Sequence, residues 1–358
     1  MIRVGAIGCG DIAQRSHFPN MAKLADRARL VAVAARNRER VEACARRFGI
    51  ERAYTDVDAM LSEGDVDAVL ILTPPDAHAG YAIKAVEAGK HVLVEKPMVR
   101  TLDEAQQILA AVEKNPVVFM PLPHVWGPDY EVLRELVESG AVGEVTSIEC
   151  HKGHRGPTHA DWFYRKEIAG GGVLLDLGIY AIGGVVNVFG PATKVQAMCA
   201  TRYPERRMDD GSIVRPDVED HCMLNLWLES NVAVFINSTW NGYLSHHHTR
   251  SRITVFGREG MIHFGVPDGA IYVHRDDGDY SKVPHPHEAA SFDGYPSVRV
   301  TPPSRTRSGS LLEHFFHRIE TGDTSTLPLK QQIHVTEIML AAYESGALEK
   351  ARSLTTRF

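Results

Sequence analysis

The sequence predicts an α/β protein in two parts, and three observations carry that reading. Short apolar runs alternate with helical stretches over the first third of the chain, and a glycine-rich turn joins the first run to the first helix. Beyond residue 122 the alternation gives way to paired β-rich runs joined by short turns. Strands separated by helices of about 10–14 residues build right-handed βαβ units and a parallel sheet. Paired β runs with short connections instead make hairpins. The expected division is therefore residues 1–122 and residues 123–358.

The first strand is residues 2–7 (IRVGAI), running into Gly8-Cys9-Gly10-Asp11-Ile12-Ala13. Residues 29–35 (RLVAVAA) form the second strand, and the helix after it stops at Gly49. Residues 66–75 (VDAVLILTPP) read as a buried strand, and residues 77–90 as a helix closed by Gly89. HVLVEKP (91–97) is the next strand, and Thr101 with Glu104 has capping-box spacing at the head of the following helix. PVVFMPL (116–122) completes the set. Ligands of parallel sheets collect at the carboxyl ends of the strands, here Ile7, Ala34, Thr73 and Glu95. Lys96 follows directly on that edge.

In the second part, residues 128–145 hold a helix with a stop at Gly140, and a strand runs to residue 153. Residues 220–240 and 252–264 read as two hairpins. Residues 284–309 are proline-rich and aperiodic, hence a loop or arm outside the core, and two helices around 310–321 and 330–349 finish the chain.

With 44% hydrophobic residues, 23% charged residues and a net charge of −6, the chain suits a soluble protein without a basic face for nucleic acid. No apolar run approaches the roughly 18–20 residues that cross a bilayer. The N-terminus enters a strand at once, without a signal-peptide pattern. The five scattered cysteines suit a reducing cytoplasm better than a disulfide framework or a zinc site. His246-His247-His248 has no ligand spacing, because adjacent side chains point to different faces, so no metal is expected.

The turn Gly8–Ala13 is a GxGxxA element between strand and helix, the pattern that cradles a dinucleotide diphosphate. Gly8 permits the tight turn, Gly10 leaves no Cβ in the way, and Ala13 lets helix and strand pack closely. The amides of Asp11 and Ile12 open the helix toward the phosphates. The second strand ends without the carboxylate that would bond an NAD ribose, and Arg36, Arg38 and Arg40 follow. That favours NADP, with NAD as the alternative.

Taken together, GAIGCGDIA, TPPDAHAGYAIKAVEAGKHVLVEKP and GGGVLLDLGIY resemble the glucose–fructose oxidoreductase / inositol dehydrogenase / rhizopine-catabolism (Gfo/Idh/MocA) family, in the expected order along nearly the whole chain. The resemblance implies an N-terminal Rossmann domain and a C-terminal α/β domain with an open, mainly antiparallel sheet. It implies hydride transfer between NAD(P) and a secondary alcohol or ketone of a sugar or polyol. Lys96 would be the catalytic lysine, held by a Lys96-Pro97 bond that is often cis, with Thr73, Pro74, His78 and Glu95 along the cofactor side. Members commonly pair through the outer face of the C-terminal sheet, which implies a homodimer or homotetramer.

Asp176 and Tyr180, four apart in residues 170–190, face the same way if that segment is helical. Gly178, Gly183 and Gly184 weaken such a helix and imply close approach by something else. The family pattern has histidine at the second position; this chain has Tyr180, as do glucose–fructose oxidoreductase, dihydrodiol dehydrogenase and some sugar 3-ketoreductases. An unperturbed tyrosine ionises at about pH 10. It needs a nearby cation to exchange protons near neutrality, and Lys96 is the candidate. Tyr180 would carry the proton, Lys96 polarise the substrate oxygen, and Asp176 bond a hydroxyl or orient the pair. His124, Trp126, His154, Arg155 and Trp162 are candidates for the substrate pocket. Two other readings stand beside this one: a dihydrodiol dehydrogenase-type enzyme, and a non-catalytic nucleotide-binding regulator, which the presence of Lys96 opposes.

Overall fold

The computed structural model describes residues 1–123, 128–241, 251–264, 270–300 and 310–358. His124, Trp126 and the tract His246–His248 lie outside the described residues. The chain divides into two compact units, Met1–His124 with Ser308–Thr336, and Val125–Arg307 with Glu337–Phe358.

In the first unit, β1 (Ile2–Ile7), β2 (Ala28–Ala34), β3 (Arg52–Tyr54), β4 (Ala68–Ile71), β5 (His91–Val94) and β6 (Phe119–Pro121) form one sheet. Its order is β3-β2-β1-β4-β5-β6 and all its pairings are parallel. The helices are α1 (Phe18–Ala22), α2 (Arg38–Phe48), α3 (Val57–Glu63), α4 (His78–Glu87) and α5 (Leu102–Lys114). Beyond Arg3 in β1 and His91 in β5, the central strands are apolar because both faces are covered. Val4, Ala6, Ala68, Leu70 and Leu93 pack into one core, and Ile7, Val69, Ile71, Val92 and Val94 into the other. The Thr101–Glu104 capping box is present at the start of α5. β3 and α3 are absent from the sequence reading, since a three-residue Arg-Ala-Tyr strand has no visible periodicity.

The second unit opens with α6 (Pro128–Glu138) and β7 (Val145–Gly153). A helical stretch follows, with α7 (Lys166–Ala169), a π-helical turn over Leu174–Gly178 and α8 (Ile179–Phe189). Then come β8 (Ala192–Ala200), β9 (Arg206–Arg207), β10 (Ile213–Val214), β11 (His221–Leu228) and β12 (Ala233–Thr239). Next are β13 (Ser251–Gly257), β14 (Gly260–Phe264), β15 (Ile271–Arg275), β16 (His287–Phe292) and β17 (Tyr295–Val300). β18 (Arg352–Ser353) follows the C-terminal helices α9 (Leu311–Thr321) and α10 (Leu327–Leu348). Among the described residues, the main sheet runs β16-β17-β15-β14-β13-β7-β12-β11-β8-β18. It is antiparallel except where β12 runs parallel to β7.

Four expectations are corrected. First, residues 308–336 belong to the first unit. Leu312, Phe315 and Phe316 of α9, at helical i, i+3, i+4 spacing, bury in the core formed by Val4 and Leu70. Second, residues 287–300 are a hairpin, not an arm: β16 pairs β17, and Val298 and Val300 are buried against β15 despite the neighbouring prolines. Third, Cys199 and Cys222 are direct cross-strand partners on β8 and β11, Cα atoms 4.2 Å apart, and form a disulfide. Their separation of 23 residues hides this pairing in the sequence, while Cys9, Cys44 and Cys150 are free and buried. Fourth, Lys166–Phe189 is a helical stretch of 24 residues apolar enough by length and composition to cross a membrane. Most of it, 72% of its most apolar window, is buried inside the fold, which makes it a core helix.

Candidate active site

Just beyond the carboxyl end of β1, Gly8 has φ +104°, and a Cβ there would lie 2.7 Å from the carbonyl oxygen of Leu72. Only glycine takes that turn without strain. A Cβ on Gly10 would meet nothing within 4 Å, so the loop has open space on that side. Ala13 is fully buried, which lets the helix lie close to the sheet. Asp11 and Ile12 are exposed at the helix start, with Asp11 paired to Arg15 at 3.0 Å. The Thr73 hydroxyl at the end of β4 is buried and lacks a protein hydrogen-bond partner. An open glycine turn with an unanswered hydroxyl on the next strand end fits a bound dinucleotide. At the end of β2, Arg36, Asn37 and Arg40 are exposed. The Asn37 side chain caps α2 by accepting from the amide of Arg40 at 2.9 Å.

The charged triplet after β5 is held from both sides. The Glu95 carboxylate accepts from the Lys96 amide at 2.9 Å and meets His17 Nε2 at 2.8 Å. Burial pushes this carboxyl up, but the His17 hydrogen bond and the charges of His17 and Lys96 outweigh it, and Glu95 is held below its ordinary value. The Lys96-Pro97 peptide is cis, and Lys96 is half-buried. His78 is fully buried, with Nδ1 2.8 Å from the Pro97 carbonyl and Nε2 2.7 Å from the Thr73 carbonyl. It therefore stands between the two strand ends. Burial pushes the His78 ring below its ordinary value, against the pull of the two facing carbonyls and the charge of Glu95.

In the second unit the helix carrying Asp176 and Tyr180 lies against β7 and β12. Gly178 makes the approach possible, since a Cβ there would sit 2.7 Å from the Leu174 side chain and 3.0 Å from Ser238 Oγ on β12. Gly184 does the same for the ring of Tyr130 on α6. Asp176 accepts from Trp240 Nε1 at 3.1 Å and faces His154 Nε2 at 3.8 Å. Trp240 is fixed by Tyr164, edge-on at 5.4 Å between centroids. Tyr180 is half-buried, with the Lys152 ammonium 4.8 Å above its ring centroid. The glycine turn before this helix is pinned by buried Glu219, which accepts from the amides of Gly172 and Leu174 and from the Tyr343 hydroxyl, at 3.0, 2.9 and 2.9 Å.

Residues 2–122 match the model described as "Oxidoreductase family, NAD-binding Rossmann fold", and residues 130–263 that of the GFO/IDH/MocA C-terminal domain. A dTDP-3,4-didehydro-2,6-dideoxy-alpha-D-glucose 3-reductase of Saccharopolyspora spinosa is 32% identical over 263 residues, 73% of this chain and 74% of the relative. The chain belongs to the Gfo/Idh/MocA oxidoreductases. A levoglucosan dehydrogenase of Pseudarthrobacter phenanthrenivorans is 29% identical over 75% of this chain and 71% of its own. Among solved structures, levoglucosan dehydrogenase in complex with NADH and L-sorbose aligns at a TM-score of 0.82 and 23% identity over 99% of both chains. Aldose-aldose oxidoreductase from Caulobacter crescentus aligns at 0.80 and 22%, again over 99% of both. These two likenesses are of fold.

As a Gfo/Idh/MocA oxidoreductase, the chain carries the expected NAD-binding Rossmann unit and the mixed, mainly antiparallel second sheet. Within the second unit the structure gathers Asp176, His154 and Trp240 at one point, and Tyr180 with Lys152 one helical turn on. Trp162 stacks on Phe163, and Arg155 is exposed while its carbonyl accepts from Arg206. Among the described residues, no three His, Cys, Asp or Glu side chains gather as a metal site. Sequence reasoning missed Lys152 and Glu219. The signal for Lys152 was present: Ile148, Cys150 and Lys152 share one face of β7 by period-two alternation, and a lysine there interrupts an apolar row. Glu219 left no comparable mark.

Proposed function

We propose that this oxidoreductase acts on a secondary alcohol or ketone of a sugar or polyol and prefers NADP(H). When bound, the nicotinamide supplies or accepts the hydride. The Gly8–Ala13 turn and Thr73 hold the dinucleotide, and Arg36 and Arg40 favour a 2′-phosphate where no carboxylate stands to bond a ribose hydroxyl. Lys96 donates to the reacting oxygen, Tyr180 passes a proton to or from it, and Asp176 bonds a neighbouring hydroxyl. The observation that carries this reading is the Asp176–Tyr180 pair on one helix face, the first held by Trp240 and the second beneath an ammonium. Relatives named as sugar reductases and dehydrogenases support the substrate class.

The test is nicotinamide fluorescence and turnover with NADPH and NADH against a panel of sugars, polyols and one aromatic dihydrodiol. We expect tighter binding of NADPH, turnover with a sugar or polyol, and a kcat about 10²–10⁴-fold lower for Tyr180→Phe. Cofactor binding without turnover of any substrate sinks the reading. Lys194, Gln196, Met198, Asn225, Trp227 and Phe235 are exposed on the outer face of β8, β11 and β12, and a homodimer or homotetramer through that face fits. Sedimentation of wild type against Phe235→Glu distinguishes this from a monomer.

A further inference from the structure

We propose that Lys152 is a positioning residue for Tyr180: its ammonium fixes the ring and stabilises the phenolate that proton transfer leaves behind. The inference rests on the reading of Tyr180 as the proton carrier, and it moves the supporting cation from Lys96 to a residue of the same unit as the phenol.

Ile148 and Cys150, four and two residues back on the same face of β7, are almost wholly buried. A lysine that follows them buries its stem along that row, and its charge needs a partner. The structure gives it the face of Tyr180, with the ammonium 4.8 Å from the ring centroid, a cation–π geometry. When a substrate oxygen takes the phenolic proton, the negative charge left on Tyr180 faces this ammonium.

Other titratable and polar groups of the second unit stand near the helix that carries the ring. Asp176, one turn earlier on the helix, carries a negative charge that opposes phenolate formation. His154, just beyond β7, faces Asp176 at 3.8 Å. Cys150 is a neutral thiol, pushed up to about 12 by burial. From β12 and its end come Ser238 and Trp240, both uncharged. Behind Trp240, the Arg206 guanidinium is committed to Asp220 at 2.7 Å, and Tyr164 is pushed up to about 12, first by burial. Lys152 places an ammonium on the face of this phenol.

The test is a spectrophotometric titration of the tyrosinate band. The Tyr180 phenol is isolated by subtracting the Tyr180→Phe curve from the wild type, and likewise for Lys152→Met and Lys152→Arg, each against its double variant with Tyr180→Phe. We expect Tyr180 to ionise roughly one pH unit or more lower with Lys152 than with methionine. Arginine should restore most of the difference, and the tyrosine limb of the kcat–pH profile should move with it. Coincident curves for wild type and Lys152→Met overturn the proposal. The titration needs no substrate, so a shifted phenol in a chain that turns over no sugar removes the sugar reading alone. An unshifted phenol in an active enzyme removes only the role of Lys152.

Discussion

Glu95 in the first unit and Glu219 in the second are each 9% exposed, and both accept hydrogen bonds from backbone amides. Their carboxyls nevertheless move in opposite directions. Burial pushes both up, and it wins at Glu219, whose partners are two amides and a phenol, all neutral. At Glu95 the hydrogen bond and charge of His17, together with the charge of Lys96, reverse it. Neutral donors soften the cost of burying a carboxylate; a facing cation changes its sign. The first unit thus keeps a charge beside Lys96, while the second uses its carboxyl as a brace for the turn that launches the Asp176 helix.

The comparison breaks most visibly at Lys96. Lys96→Met should lower kcat about 10²–10⁴-fold with dinucleotide affinity changed little, measured by steady-state kinetics and fluorescence titration. Retained activity would show that the triplet serves structure alone. Next comes Glu219→Ala, which leaves two buried amides and a buried hydroxyl unanswered. We expect a loss of about 3 kcal/mol, a Tm roughly 6–12 °C lower by calorimetry. An unchanged Tm would remove the brace.

The smallest effects are the pH dependences, and they should run in opposite senses. Glu95 lies below its ordinary 4.5 in the folded protein, so its contribution is complete above that value and is lost as pH falls through the folded one. Glu219 lies above its ordinary 4.5, so its contribution is complete below that value and is lost as pH rises through the folded one. In urea unfolding, Glu95→Gln should cost about 1–2 kcal/mol near neutrality and progressively less in acid. Glu219→Gln should instead gain on the wild type as pH rises. Parallel curves for the two variants would show that the cations near Glu95 do not decide its state.

The difference between the units also explains what the sequence made legible. The first unit's site is written locally: Gly8, Gly10, Lys96 and Pro97 each stand beside the strand end that gives them their role. The Asp176–Tyr180 pair was legible for the same reason, as a spacing within one helix. Lys152, Trp240 and Glu219 reach that helix from strands and loops far away in the chain, and only sheet register brings them there. Cys199 with Cys222 was hidden in the same way. β3 was too short to read, and the β16–β17 hairpin was masked by prolines that it tolerates near its ends.

The return of α9 to the core beside Val4 and Leu70 has a consequence for biosynthesis. A ribosome that has released only the first 124 residues has delivered every strand of the parallel sheet but not Leu312, Phe315 and Phe316, which cover part of one face. That face waits, greasy and open, while residues 125–307 are translated, so the nucleotide-binding half completes its interior only after that long insertion has been made.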